Sequence, residues 1–469
     1  MIRRMKSTDR KKRIVMLGAG FGGLAFCRAV DTSRAEVVLI DRQNHHTFQP
    51  LLYQVATAGL SVPDIAHPIR SIFRRKGGVD VRLDEALHVD TTKKEVRLRD
   101  TGSIDYDYLV IGVGARTNYF GNDRWEAFAP GLKTLDDAAL IRQRILYAFE
   151  QADLTDDAEE RARLMTIVVV GGGPTGVELA GAFAELSRFV LRKDFRHIDP
   201  AQTRIILIEA TERILRPFTP GLAAKAHSQL EKLGVEIRLN ARIQAIDEHG
   251  LTLEDGLIPA ANVVWGAGVR ASRLCASLPV ERDRAGRVKV APDLSLPGHP
   301  EVFAVGDIVH LVDAAGKPVP GVSPAAMQMG RHVARILNRE LRGKSGARPP
   351  FRYLDKGSMA TIGRSKAVAD IRGLRFSGFP AWMAWLVVHL IFLVGFRNRL
   401  SVLLSWIYNY FAYRGGARII TGLDRMFRLG NPEARPRSIA EGTPGAAAEP
   451  AVNKVERAEQ EMAASGVPR

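Results

Sequence analysis

The sequence predicts an α/β fold in which one strand–turn–helix unit occurs twice and a separate helical segment follows. The unit occupies residues 14–30 and recurs at residues 167–186. In both copies a short apolar run precedes a glycine-rich run, as is typical of strands buried on both faces of a parallel sheet. Near the C-terminus the pattern changes to two apolar runs without charged residues, 376–396 and 400–413. These observations predict two similar α/β domains and a C-terminal helical segment.

Both glycine-rich runs have the form Gly-x-Gly-x-x-Gly and lie between a predicted strand and a predicted helix. The first is Gly18-Ala19-Gly20-Phe21-Gly22-Gly23, and the second is Gly171-Gly172-Gly173-Pro174-Thr175-Gly176. In such a turn the first glycine makes the bend, the second lets backbone N–H groups approach a pyrophosphate, and the third lets helix and strand pack. The two runs therefore predict two Rossmann-like dinucleotide-binding domains, although glycines that serve close packing alone would give the same pattern.

A further strand in each unit ends in an acidic residue, Asp41 in the first unit and Glu209 in the second. At this position a carboxylate accepts hydrogen bonds from the ribose hydroxyls of a dinucleotide. A carboxylate at position 209 would also repel a 2′-phosphate, which favours NADH over NADPH, and Arg213 would weaken that preference. The alternative is that both acids are solvated ends of strands.

Composition excludes several classes of protein. The 469 residues contain two cysteines, Cys27 and Cys275, which are too far apart in the chain for a Cys-x-x-Cys pair or a cysteine metal site. This excludes disulfide scaffolds and the enzymes that pass electrons to a cysteine pair. His45 and His46 are neighbours, but no third ligand has the spacing to join them, so no metal site is expected.

The net charge of +16 is concentrated near the C-terminus. Residues 341–430 contain 15 Lys and Arg against three Asp, which leaves +12 in this segment. Aromatic residues of the kind found at membrane interfaces lie within the apolar runs: Trp382, Trp385, Trp406, Tyr408, Tyr410 and Tyr413. We therefore expect helices that lie in a membrane surface. A buried core or dimer interface, or a bilayer span at 379–396, are the alternatives.

The second apolar run predicts an amphipathic helix. A spacing of four places Ser401, Ser405 and Asn409 on one face, and another face carries Leu400, Leu403, Leu404, Ile407 and Phe411. Residues 379–396 of the first run would be about 27 Å long as a helix, which is borderline for a bilayer core of about 30 Å.

The two ends of the chain have their own composition. Residues 1–13 form a basic arm that is not followed by the apolar core of a signal peptide, so a cytoplasmic location is expected. Residues 431–469 are rich in Ala, Pro, Glu and Gly and are expected to be a disordered tail.

Together these features resemble the two-dinucleotide-binding-domain flavoproteins. Two more motifs carry the resemblance: Val302–Asp307 is similar to the strand whose Asp contacts the flavin ribityl chain, and Tyr108–Ala115 is similar to the strand and turn that leave the FAD domain. The resemblance implies the following domains: a discontinuous FAD domain at 14–125 and 285–345, an inserted NADH domain at 126–284, and a membrane-anchoring or dimerisation region at 346–430.

The resemblance also implies which residues hold each dinucleotide. For FAD they are Gly18, Gly20, Phe21, Gly22, Gly23, Asp41, Arg42, Ala115, Gly306, Asp307 and Ala326. For NADH they are Gly171, Gly173, Pro174, Thr175, Gly176, Glu209, Ala267 and Gly268. Hydride would pass from nicotinamide C4 to flavin N5, and the protein would supply geometry and electrostatics.

Two longer segments, 45–59 and 265–271, resemble the type II NADH:quinone oxidoreductases, which are single-subunit NADH dehydrogenases. This resemblance covers residues 14–420 and implies oxidation of NADH with two-electron reduction of a membrane quinone, without proton pumping. It also implies monotopic attachment to the cytoplasmic face of the cell membrane. A homodimer is expected, and neither nucleic acid nor metal is expected as a partner.

The family's quinone motif, Ala-Gln-x-Ala-x-Gln-Gln-Gly, falls on residues 323–330 and matches at Ala326, Gln328 and Gly330. Pro324 and Met329 stand where the family has glutamine, so Gln328 is the one amide of the motif left for a quinone carbonyl. Pro324 suits the first turn of a helix, whose positive end would face the flavin pyrimidine. The resemblance places these residues at the quinone site: Pro50, Leu51, Tyr53, Pro324, Gln328 and Met329.

Glu178 matches an acid that in this family lies between the nicotinamide and quinone sites. There it could relay a proton or shape the site, and Glu178 and Gln328 are the expected catalytic residues. The alternative for Glu178 is an ordinary first-turn acid that the helix dipole favours.

Two other functions remain open on sequence alone. A flavin reductase that feeds a soluble electron carrier would leave residues 376–413 without a purpose. A redox-sensing flavoprotein that binds nucleic acid would use the basic patch, but the aromatic and apolar residues around its arginines favour lipid.

Overall fold

The computed structural model describes residues 10–192, 194–313, 316–344, 346–412 and 417–421, and for Phe396, Phe411 and Ala412 the backbone alone. The chain divides into two compact units, residues 1–419 and 420–469. The predicted tail at 431–469 and most of the predicted arm lie outside the described residues. The rest of the arm corrects the prediction, because Lys12 and Arg13 already belong to the first strand.

The chain up to residue 111 supplies most of the first domain. Its elements are β1 (Lys12–Leu17), α1 (Phe21–Ala29), β2 (Ala35–Asp41), β3 (His45–Thr47), α2 (Leu52–Ala56), α3 (Val62–Ile65), β4 (Ala66–Pro68), α4 (Ile69–Phe73), β5 (Val79–Leu83), β6 (Ala86–Asp90), β7 (Glu95–Leu98), β8 (Ser103–Asp105) and β9 (Tyr108–Ile111). The apolar residues of β1, β2 and β9 are buried, as expected for central parallel strands.

The middle of the chain supplies a second domain with its own parallel sheet. Its elements are β10 (Ala115–Thr117), α5 (Leu135–Leu154), α6 (Ala158–Leu164), β11 (Thr166–Val170), α7 (Pro174–Glu185), β12 (Arg204–Ile208), α8 (Pro220–Glu231), β13 (Val235–Arg238), β14 (Ile243–Asp247), β15 (Gly250–Leu253), β16 (Gly256–Pro259), β17 (Asn262–Trp265) and β18 (Val269–Ala271). Four parallel strands lie in the order β13-β12-β11-β17, and the second glycine turn follows β11.

The chain then returns to the first domain. The returning elements are β19 (Val288–Lys289), β20 (Ser295–Leu296), β21 (His299–Ala304), β22 (Val309–His310) and α9 (Ser323–Glu340). They complete a six-stranded sheet in the order β20-β21-β9-β1-β2-β5, in which β21 runs parallel to β9. Helices α1 and α9 touch closely, since a Cβ on Gly330 would lie 2.2 Å from Gly22 O.

Core packing shows where the chain crosses between the two domains. β10 pairs with β18 in antiparallel register, with Arg116 opposite Arg270. Beyond β10, Trp125 already packs in the core of the second domain. Beyond β18, Leu274 and Leu278 already pack in the core of the first. The packing therefore puts both crossings at the β10–β18 pair rather than at the predicted limits 125/126 and 284/285.

The C-terminal region begins with a small sheet that lies against the second domain. It consists of β23 (Ser358–Gly363), β24 (Lys366–Ile371) and β25 (Leu374–Ser377), followed by α10 (Phe379–Phe392) and α11 (Phe396–Ala412). β23 approaches α7 so closely that a Cβ on Gly181 would lie 1.8 Å from Ile362 O. A glycine at position 181 is therefore a condition for this contact.

Helix α11 turns its polar side toward the protein. Asn398 donates to Pro63 O and Ala66 O, Ser401 to Asp64 Oδ1, Trp406 to Gln54 Oε1, and Asn409 to Gly59 O. The outer side carries the exposed residues Leu400, Leu403, Leu404, Ile407 and Tyr408. The predicted amphipathic pattern is confirmed, and its polar face is the one packed on protein.

Helix α10 also turns apolar side chains outward. Ala381 and Trp385 are buried, whereas Phe379, Met383, Val387, Ile391 and Phe392 are exposed. Within the described residues, no helix combines the length and the apolar character that crossing a bilayer requires.

We expect Gly181→Ala to destabilise the protein because its Cβ would collide with the backbone of β23. Overpacking of this kind costs about 1–3 kcal/mol, which would lower the Tm of thermal unfolding by several degrees. Gly221→Ala is the matched control, because Gly221 lies in helix α8 and a Cβ there meets nothing within 4 Å. This control should be neutral or stabilising by up to about 1 kcal/mol. Equal Tm values for the two variants would contradict the close approach.

Candidate active site

The two predicted glycine turns share one backbone conformation. Gly18 has φ +95° and Gly171 has φ +104°, in the left-handed region that favours glycine. A Cβ on Gly18 would lie 2.4 Å from Gly112 O, and one on Gly171 would lie 2.8 Å from the backbone of Ala267. Both turns thus need glycine for their shape and for the approach of a neighbouring strand end.

An acid holds each turn in place. The N–H of Ala19 donates to Oδ2 of Asp41 at 2.6 Å, and the N–H of Gly172 donates to Oε2 of Glu209, also at 2.6 Å. Burial raises the pKa of Asp41. The sequence predicts contacts of these acids with ribose, and the structure adds that each one fixes the turn beside it.

The turns fit the pyrophosphates of two dinucleotides. A Cβ on Gly173 would meet nothing within 4 Å, and one on Gly20 would meet one atom at that distance, so both turns leave open space above the backbone. Within the described residues, no side chain caps the N-terminus of α1 or of α7. Backbone N–H groups are therefore left for an anionic ligand. Phe21 and Pro174 are the first residues of these two helices.

Three distant motifs meet at the first turn. A Cβ on Gly22 would lie 3.3 Å from Ala326 O, and one on Gly306 would lie 3.4 Å from the Ala326 Cβ. The N–H of Gly306 donates to the Sδ atom of Met329 at 3.3 Å. The structure thus brings together Gly22, the Gly306-Asp307 pair and Ala326, as the FAD prediction requires.

His46 packs on the same turn and is not arranged as a metal ligand. Its Nδ1 atom pairs with Ala19 O at 2.9 Å, and its ring lies edge-on to Phe21. Burial lowers its pKa to about 4, and its buried Nε2 has no partner among the described residues. In that part of the chain, no group of three or more His, Cys, Asp or Glu is placed to hold a metal ion.

A cavity of about 170 Å³ lies between the second domain and the C-terminal helices. Its walls are formed by Tyr53, Gln54, Thr57, Ala58 and Gly59 in and after α2; by Glu178, Ala182 and Glu185 in α7; by Leu186, Phe189 and Val190 in a π-helical turn; by Thr361, Ile362, Gly363 and Arg364 in and after β23; and by Trp382, Trp385, Leu386, Trp406, Asn409 and Tyr410 in α10 and α11. Three of the five tryptophans of the chain line this cavity. It therefore suits a flat, aromatic ligand.

Glu178 is a buried acid of the cavity wall and is predominantly protonated at neutral pH. Burial raises its pKa to about 8, which the N–H of Thr361 and the indole of Trp385 partly offset. The Thr361 contact is long, at 3.5 Å. Tyr53 lies beside it, its hydroxyl accepts from Gln54 Nε2 at 2.8 Å, and burial raises its pKa well above the ordinary value. The cavity thus holds a weak acid next to a phenol.

The predicted quinone-site residues are distributed unevenly around this cavity. Tyr53 and Glu178 line the cavity, while Pro50, Leu51, Pro324, Gln328 and Met329 do not. The amide of Gln328 pairs with both the N–H and the C=O of Leu354, at 2.9 and 3.0 Å. The extended segment around Leu354 uses the amide for its own backbone, so Gln328 does not face the cavity.

Sequence reasoning missed several cavity residues. Glu185 lies seven positions after Glu178 on the same helix, a spacing that returns to one face after two turns and could have been noticed. Arg364 and Thr361 come from a strand whose position depends on tertiary contact, and no motif marks them. Trp382, Trp385 and Trp406 were predicted only as membrane-interface residues, and their place in the cavity wall was not foreseen.

The fold and the two turns define a class of enzyme. Residues 12–330 match the family described as "Pyridine nucleotide-disulphide oxidoreductase", and residues 356–415 match "NDH2 C-terminal domain". The NDH2 structure from Plasmodium falciparum in complex with NADH has the same fold. It gives a TM-score of 0.80 at 23% sequence identity and covers 86% of this chain and 99% of that chain.

Two relatives show to which family of this enzyme class the chain belongs. The type II NADH:quinone oxidoreductase Ndh of Mycobacterium tuberculosis is 46% identical over 425 residues, which are 88% of this chain and 91% of that protein. The mitochondrial internal alternative NAD(P)H-ubiquinone oxidoreductase A1 of Arabidopsis thaliana is 32% identical over 87% of this chain and 86% of that protein. The chain belongs to the type II NADH:quinone oxidoreductases.

We expect the carboxyl of Glu178 to lose its proton as pH rises through about 8. Its raised pKa means that the acid form dominates at pH 7. The infrared C=O band of protonated carboxyls should therefore shrink between pH 7 and pH 9.5, and Glu178→Gln should remove this component. Glu254→Gln, at an exposed glutamate, is the control and should leave the band unchanged. An identical pH difference in wild type and Glu178→Gln would contradict the assignment.

Proposed function

We propose that this chain oxidises NADH with bound FAD and reduces a quinone that enters from the membrane. The observation that carries the proposal is the course of α7. Its first residues belong to the second glycine turn, and the same helix lines the cavity through Glu178 and Glu185. The opposite wall comes from α10 and α11, whose outer faces are apolar. One helix therefore links a nicotinamide site to a site open to lipid.

Residues of this chain would position both FAD and NADH. FAD, when bound, supplies the hydride acceptor and the two-electron donor to the quinone. Gly18, Gly20 and the N-terminus of α1 would hold its pyrophosphate, and Asp41 its ribose. Gly171, Gly173 and Glu209 would do the same for NADH. Ala267 supports this role, because its backbone packs directly on the turn at Gly171.

Glu178 and its neighbours would receive the quinone head group. A protonated Glu178 can donate to a quinone oxygen, and Tyr53 has an O–H that its contact with Gln54 leaves available as a donor. The indole N–H of Trp385 is buried without a partner of standard geometry among the described residues. A quinone carbonyl oxygen is an acceptor that these three groups could share. Reduction of the quinone would then draw a proton from Glu178.

The outer faces of α10 and α11 support peripheral attachment to a lipid surface. A soluble protein buries apolar side chains and exposes polar ones, whereas α11 does the reverse. Arg397 and Arg399 lie in the first turn of α11, and Arg399 caps the end of α10 through Leu393 O at 2.8 Å. We propose attachment at the cytoplasmic face, where the basic charge of the region would meet anionic lipid. The homodimer stays a prediction.

The proposed function and the membrane face are tested together. Wild-type holoenzyme should oxidise NADH with a quinone carried in anionic liposomes and also with ferricyanide in solution. Leu404→Asp, at a leucine that is 56% exposed on α11, should lower the liposome-bound fraction about tenfold and quinone turnover with it. Ferricyanide reduction should persist, because electrons reach it without the membrane.

A matched control distinguishes the effect of adding any surface charge from the effect of placing that charge on α11. Leu154→Asp changes a leucine that is 76% exposed at the end of α5, and it should leave liposome binding and both activities unchanged. Wild-type enzyme that reduces ferricyanide but no quinone would refute the proposed function. Equal liposome binding by both variants would refute the membrane face alone.

We expect NADH to be preferred over NADPH because Glu209 places a carboxylate beside the second turn. Glu209→Gln keeps an oxygen for the N–H of Gly172 and removes the charge. The ratio of kcat/KM for NADPH to that for NADH should therefore rise about tenfold. Glu212→Gln, at an exposed glutamate three positions on, is the control and should leave the ratio unchanged. A ratio that does not move in Glu209→Gln would show that another group rejects the 2′-phosphate.

A further inference from the structure

The cavity contains a second acid, Glu185, which the proposed function does not use. It lies at the end of α7, seven residues after Glu178, and lines the same cavity. Seven residues are two helical turns, or about 10.5 Å along the axis. Glu178 therefore lies toward the second glycine turn and Glu185 toward the π-helical turn at Leu186–Val190.

The position of Glu185 is built by the hairpin that follows β23. The N–H of Arg364 donates to Oε1 of Glu185 at 2.5 Å. Gly363 leaves the space for this carboxyl, because a Cβ there would lie 2.8 Å from the same oxygen. Glu178 is held in a parallel way by the N–H of Thr361. Strand β23 and the turn after it thus hold two carboxyls of α7 beside the same cavity.

The charged groups around Glu185 come from several elements. Arg364 and Lys366 from the β23–β24 hairpin favour its ionised form, while burial has the larger effect and raises its pKa. Burial is the main cause of the raised pKa of Tyr53 in α2, and the negative charges of Glu178 and Glu185 raise it further. From α11, the Tyr410 ring lies against the guanidinium of Arg364. Burial and the two cations therefore act on the pKa of Glu185 in opposite directions.

We propose that Glu185 is a second proton-carrying carboxyl of this cavity, which resupplies Glu178 after each quinone reduction. The inference rests on the proposed function. NADH, one proton and a quinone give NAD⁺ and a quinol, so the hydride supplies both electrons and one hydrogen. The medium supplies one proton. Glu178 gives that proton to the quinone oxygen, and Glu185 returns one to Glu178 through water or the Tyr53 hydroxyl.

The arrangement favours a relay over a purely structural contact. A carboxylate that only docked the hairpin would need no opening to the cavity, yet Glu185 lines it. Its backbone donor binds one oxygen and leaves the other for a second partner. At about 10.5 Å along the helix the two acids are too far apart for direct transfer, and the cavity between them has the volume for a few waters.

Glu185→Gln in the full-length holoenzyme tests the relay. Quinone kcat should fall about tenfold at pH 8 and less at pH 6, where protons reach Glu178 directly from the medium. KM for the quinone should change less than about twofold, and ferricyanide reduction should persist, since this acceptor takes electrons without protons. Glu185→Asp, which restores a carboxyl, should recover at least half of the lost turnover and the wild-type pH profile.

The other outcomes overturn the inference. Wild-type quinone turnover by Glu185→Gln from pH 6 to pH 9 would show that no proton passes through this residue. Equal loss of quinone and ferricyanide activity in Glu185→Gln, at normal FAD content, would show a structural role. If Glu185→Gln does not fold, failure of Glu185→Asp to keep the wild-type pH profile decides against the relay. Glu254→Gln is the exposed control and should match wild type. Absence of quinone reduction by wild type would instead reject the proposed function.

Discussion

The architecture depends on the close approach of β23 to α7 at Gly181. Any side chain at that position would collide with Ile362 O and push the strand away from the helix. Because the strand lies this close, its N–H groups at Thr361 and Arg364 reach the carboxyls of Glu178 and Glu185. The contact therefore attaches the C-terminal region to the nucleotide-side helix, and the cavity lies between them.

Burial decides the chemistry of that cavity. Two ionised carboxyls in a low-dielectric space would be costly, and a raised pKa is the cheaper solution. Burial raises the pKa of both carboxyls, that of Glu178 to about 8, so Glu178 is a potential proton donor at neutral pH. In α11, polar side chains such as Asn398 and Ser401 form hydrogen bonds with the rest of the protein, and the apolar side chains face outward. Polar groups are satisfied internally, and an apolar surface faces outward.

The sequence was sufficient for the parts of the fold that local patterns control. The glycine turns at Gly18 and Gly171, the buried strands after which they lie, and the amphipathic face of α11 follow from spacing and residue type. The placement of β23 against α7 does not, because it depends on a backbone contact that only the folded chain creates. Glu185 and Arg364 were missed for that reason. The crossing points were misplaced because aromatic packing at Trp125 is invisible in a linear pattern.

The departures from the quinone motif have a structural counterpart. Met329 is buried and its sulfur accepts from the N–H of Gly306, while Gln328 is used by the backbone of Leu354. In this chain the motif helix therefore stabilises the first glycine turn and the segment leading to β23. In the proposed function, a polar head group would be recognised by Glu178, Tyr53 and the Trp385 indole, which line the cavity. An amide and a protonated carboxyl can both donate to a carbonyl oxygen, but only the carboxyl can also give up its proton. In the proposed function, an acid at the quinone would combine binding and proton transfer in one group.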